Sequence, residues 1–218
     1  MTSIKVDLRN RLGDARDQGR RMTCIAFAAS DCHAANREPS VGELSVEYAF
    51  YHALRHKGGT LDPYAGVGAN HILKAIEVDG QPEESAWPYL PSVPLDISMY
   101  APPKDPGTLY HMSGALHVTG DVSALCSELN KGNAAVVLFM PTEQFHRATA
   151  GTIMRYTPHD SPTGLGHAVL AVGWGEVGPS GVAILVRNSW GKKWADEGHV
   201  WMEEDYLKAR MIGFLAMR

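Results

Sequence analysis

The sequence predicts an α+β protein with a helical first half and a β-stranded second half. Apolar residues recur at helical spacing between residues 24 and 79, whereas β-rich runs punctuated by glycine begin near residue 110. Neither a linker nor a repeat interrupts the 218 residues, enough to bury a large core. One domain is therefore expected over 1–218, mainly helical over about 6–105 and mainly β over about 106–218.

The elements follow in order. Cys24 to Arg37 reads as a helix because Phe27, Ala28, Cys32 and Ala35 give it an apolar stripe. Ser40-Val41-Gly42-Glu43 has capping-box spacing, but Ser45 is an equally good cap for the run Val46 to Arg55. Asn70 to Asp79 reads as a third helix, with Gly80 as its stop. The proline-rich stretch Pro82 to Pro106 reads as an irregular crossing segment. Tyr110 to Thr119 and Ala134 to Met140 are expected strands, separated by a helix from the cap Asp121 to the stop Gly132. His167 to Trp174 and Val182 to Arg187 are β-rich runs around a turn at Gly175 to Gly181, and Gly198 to Met202 is a further strand.

Composition narrows the function classes. A 44 % apolar share and 20 % charge describe an ordinary globule. A net charge of −4, with no glycine-rich phosphate loop after a strand, gives no nucleic-acid signal. No apolar run approaches the ~18 residues of a membrane span, and charges scattered through the first 21 residues exclude a signal-peptide core. His52 and His56 stand four apart, a metal-compatible spacing. No third ligand follows at a recognisable offset, so a solvated helix face is the expectation and no metal or cofactor is implied. Arg20 and Arg21 are expected as solvated loop charges.

Three segments carry chemistry. Gln18 stands six positions before Cys24, which opens a helix-like run; Gly166-His167-Ala168-Val169 lies far downstream; Arg187-Asn188-Ser189-Trp190-Gly191 follows. Taken singly, Cys24 reads as a small buried hydrophobe, His167 as a hydrogen-bonded core residue and Asn188-Ser189 as turn chemistry. Together they supply a thiol nucleophile, its base and the residue that orients the base. A helix N-terminus and an adjacent imidazolium both favour a thiolate, and in such sites the thiol pKa can fall to ~3–4.

In order and spacing these residues resemble the papain-like cysteine peptidases, from about Val6 to the C-terminus. The resemblance implies a two-lobe fold, with a helical lobe and an antiparallel, barrel-like β lobe, and an active-site cleft between them. It implies that Cys24 attacks the carbonyl, His167 holds the thiolate and protonates the leaving amine, and Asn188 fixes the imidazole tautomer. Gln18 would donate to the oxyanion beside the Cys24 backbone N–H, a kind of contact whose loss costs ~10²–10³ in rate. Trp190 would shield the His–Asn hydrogen bond. Gly66-Val67-Gly68 would pair with an extended substrate, and Leu165-Gly166 would form a small apolar wall for the second side chain on the acyl side. The expected activity is endo- or exopeptidase cleavage of peptide or isopeptide bonds through an acyl-enzyme, without a cofactor. A catalytically silent binding module and an acyl transferase are the alternatives.

Departures from the family pattern are also legible. The familiar Cys-Gly-Ser-Cys-Trp reads Arg21-Met22-Thr23-Cys24-Ile25 here, so a family disulfide is removed. Cys32, eight residues into the Cys24 helix, is expected as a buried spacer. With only Cys32 and Cys126 left to pair, a reducing, cytoplasmic compartment is expected. The resemblance starts five residues from Met1, so no inhibitory prosegment is expected, and a protein inhibitor or regulatory partner becomes a natural restraint.

Overall fold

The computed structural model describes all residues except Met1, Ser40, Leu95, Pro179 and Ser180. Helix α1 (Cys24–Asn36) is buried from Ile25 to Ala35 and so has no solvent face; it runs through the centre of the molecule against the sheet. Helix α2 (Val46–Lys57) is capped by Ser45, whose Oγ accepts from the Tyr48 N–H at 3.1 Å. The competing cap, Ser40, lies outside the described residues. Helix α3 (Ala69–Lys74) passes without a break into a π-helical turn over Ala75–Asp79. That segment stops at Gly80, whose φ of 76° suits glycine. Among its described residues, the crossing segment that follows holds two single 3₁₀ turns, Glu84–Ala86 and Ile97–Met99, and a bridge from Glu83 to Leu44.

The sheet gathers eight strands: β1 (Thr2–Asp7), β2 (Gly114–His117), β3 (Ala135–Phe139), β4 (Ile153–Met154), β5 (His167–Val177), β6 (Gly181–Arg187), β7 (His199–Glu203) and β8 (Met211–Met217). Their order is β2-β8-β3-β5-β6-β7-β4, with β1 also pairing to β5. The order has two free ends, so the sheet is not closed into a barrel. Every pairing is antiparallel except the two-residue contact of β4 with β7. Among the described residues no helix is long and apolar enough to cross a membrane.

The run expected from Tyr110 to Thr119 is split. Tyr110 pairs with Gln81 in the helical half, and only Gly114–His117 joins β8. Helix α4 (Val122–Asn130) has the expected cap: Asp121 Oδ1 accepts from the Ser123 and Ala124 N–H groups. Two further helices, α5 (Glu143–His146) and α6 (Glu204–Arg210), complete the second half. Strand β1 crosses from the N-terminal half to lie on β5. A Cβ at Gly173 would fall 2.4 Å from the Val6 carbonyl oxygen, so this crossing requires glycine.

Candidate active site

The fold brings three element ends together. Cys24 is the first residue of α1, His167 the first of β5, and Asn188 follows the last residue of β6. His167 Nε2 donates to Asn188 Oδ1 at 2.8 Å. A carbonyl oxygen can only accept, so this bond places the proton on Nε2 and leaves Nδ1 of the neutral ring unprotonated. Asn188 Oδ1 also accepts from the Ser189 N–H at 2.8 Å, and Asn188 is 2 % exposed. Trp190 tilts over His167 with ring centroids 5.0 Å apart, and Phe145 and Phe139 lie at 5.8 and 6.0 Å. The imidazole thus sits in an aromatic sleeve.

That sleeve sets the charge state. Burial pulls His167 down to about 4, against the opposing bond to Asn188. Burial likewise pushes the Cys24 thiol up, against the N–H groups of Ala168, Ile25 and Cys24 itself. Burial thus works against each charged form taken singly, so a thiolate–imidazolium pair has to draw on the helix N-terminus and on the attraction between its two charges. Charge separation requires the proton to move from thiol to ring.

Gln18 is 7 % exposed and held at both ends of its amide. Ser189 Oγ donates to Gln18 Oε1 at 2.7 Å, and Gln18 Nε2 donates to the Arg21 carbonyl at 2.8 Å. One N–H of that amide remains free to face a ligand. Ser189 lay inside the motif but read only as a turn residue; its hydroxyl fixes which way the amide points.

Arg21 is not a solvated loop charge. It is 1 % exposed and makes a two-pronged pair with Glu47, at 2.7 and 2.9 Å. It also donates to the Pro63 and Leu90 carbonyls at 3.1 and 2.7 Å, while Tyr100 Oη donates to Glu47 Oε1 at 2.5 Å. One side chain thereby joins the Gln18–Cys24 loop to three other segments, those of Glu47, Pro63 and Leu90. In sequence its neighbour Arg20, which is exposed, looks the same. His52 and His56 are also paired: they meet the two oxygens of Asp79 at 2.9 and 2.6 Å.

A cavity of about 430 Å³ opens beside Cys24 and is lined by Gln18, Gly66, Val67, Gly68, Gly166, His167 and Trp190, among others. The Gly66 carbonyl, expected to face substrate, accepts from Lys57 Nζ at 2.9 Å. Leu165 departs from expectation: it is 72 % exposed and does not line the cavity. Its place on the apolar wall goes to Leu138 and Ile212, from strands that pair directly with each other.

A helix-borne thiol facing a sheet-borne imidazole and amide across a cleft defines a papain-like architecture. The chain belongs to the papain family: residues 3–213 match the family described as "Papain family cysteine protease". It is 25 % identical over 219 residues to a cysteine protease of Blomia tropicalis, covering 94 % of this chain and 62 % of that protein. It is 29 % identical over 123 residues to pro-cathepsin H of Mus musculus, covering 56 % of this chain and 35 % of the relative. The chain thus spans less than two thirds of these relatives. In fold it is similar to xylellain, a cysteine protease from Xylella fastidiosa, with a TM-score of 0.77 at 23 % identity over 100 % of this chain and 87 % of that one. It is similar also to a Carica candamarcensis cysteine protease in complex with E-64, with a TM-score of 0.74 at 16 % identity over 97 and 96 %.

Proposed function

We propose that the chain is a cysteine-type peptidase that cleaves peptide or isopeptide bonds of peptide or protein substrates through an acyl-enzyme on Cys24. The observation that carries this reading is the His167–Asn188 bond of 2.8 Å, which leaves Nδ1 free to take the thiol proton. On substrate entry that proton passes from Cys24 to His167, and the sulfur attacks the carbonyl carbon. The resulting oxyanion is met by the free N–H of Gln18 and the backbone N–H of Cys24. His167 then protonates the leaving amine, and water releases the acyl group by the reverse relay. Asn188 keeps the ring aligned throughout.

Val67, Leu138 and Ile212 give the cavity an apolar end, which favours Leu, Val or Phe as the second acyl-side residue over Arg, which would lose hydration there without a partner. All three cysteines are free, which supports assignment to a reducing, cytoplasmic compartment. Incubation with fluorogenic dipeptides, followed by intact-mass analysis, tests the reading. Cleavage by the wild type and none by Cys24→Ala is expected, with Leu ahead of Arg at the second position. Turnover that survives in Cys24→Ala excludes the assignment; a product mass increased by an added amine identifies acyl transfer instead.

A further inference from the structure

Met22, two residues before Cys24, has no role in the relay. Its side chain is 43 % exposed and lines the cavity together with Cys24 and Gly66. Its Cε lies 3.5 Å from where a Cβ on Gly66 would stand, so the thioether is laid across that glycine. The ledge is held from both sides. Arg21 before it is locked to Glu47, the Thr23 hydroxyl after it lies 2.9 Å from Tyr89 Oη, and Lys57 holds the Gly66 carbonyl.

An extended peptide sends successive side chains to opposite faces. If one residue fills the apolar end at Val67, Leu138 and Ile212, the next turns toward the wall formed by residues 18–22. That next residue carries the carbonyl presented to Cys24. We infer that Met22 is a specificity-determining residue for this position, and that it selects unbranched aliphatic side chains over β-branched ones. An unbranched chain lies along the adaptable thioether. A β-branched chain is stiff at χ1 and places a methyl where the ledge stands. The inference rests on the peptidase reading and names its substrate class.

The test uses fluorogenic dipeptides with leucine fixed at the second position and norleucine or valine at the first. Wild-type kcat/KM for norleucine should exceed that for valine by about tenfold, the scale of a mismatch of one or two carbons in a pocket. In Met22→Gly the ratio should fall close to one, mainly through faster valine cleavage, with unchanged alkylation of Cys24 by iodoacetamide. Turnover with an unchanged ratio in Met22→Gly overturns this inference alone. A wild type that cleaves no peptide of any composition overturns the peptidase reading and this inference with it.

Discussion

At the scale of single residues, Cys24, His167 and Gln18 should separate cleanly by experiment. Burial pushes all three thiols up: Cys126 to about 11, Cys32 further still, and Cys24 in the same direction. Only Cys24 opens on a cavity beside an imidazole with a free nitrogen. Iodoacetamide should therefore label Cys24 well ahead of the other two, as read by peptide mapping, and His167→Ala should slow that labelling. Equal labelling of Cys126 would contradict the assignment. Gln18→Ala should leave alkylation unchanged and reduce kcat by ~10²–10³, the usual effect of losing one oxyanion donor. The Gln18–Cys24 spacing is legible in the sequence because chemistry ties those residue types together. Ser189 and Arg21 are not, because their partners Gln18 and Glu47 lie 171 and 26 positions away.

Among the elements, α1 carries the most tension. Its centre holds His33, fully buried, with Nδ1 donating to Gln81 Oε1 at 2.9 Å and Nε2 without a partner. Burial pulls His33 down to about 4. The unfolded chain, titrating near pH 6.5, binds the proton first, so stability falls as pH drops from about 6.5 toward 4. Each such histidine can remove about 3 kcal/mol over that window, and His167 acts in the same direction. The urea midpoint should thus fall between pH 7 and 4.5 in the wild type and fall less in His33→Gln. The same helix is tied to β6 through Asp31, whose two oxygens take Arg16 at 2.5 Å and Arg187 at 2.8 Å. Asp31→Ala leaves both guanidinium groups without that carboxylate. It should cost about 3–5 kcal/mol by urea titration. Helices α1 to α4 are legible from periodicity and caps, whereas the short α5 and α6 are not. Strands β1, β4 and β8 are not: β1 is six residues long and its partner β5 is some 170 positions away, and β4 is only two residues.

For the whole molecule, the helix-then-sheet order was legible, but the path of the chain between the halves was not. Strand β1 belongs to the sheet although it precedes every helix, and Tyr110 pairs back to Gln81. Such contacts depend on closure over long loops, which leaves no local pattern. With all three cysteines free, intact mass without reductant should show three alkylatable thiols after unfolding. Dithiothreitol should not shift the melting temperature. A reductant-sensitive melt would expose a disulfide.

The Arg21–Glu47 pair has a thermal consequence. Its stability reflects a balance between mutual attraction and lost hydration, and the hydration lost is less favourable to begin with at high temperature. Warming therefore weakens the case for these two charges to separate into water, even as the rest of the fold loosens. The segments it joins, those of Arg21, Glu47, Pro63 and Leu90, should be among the last in the helical half to lose amide-exchange protection on heating.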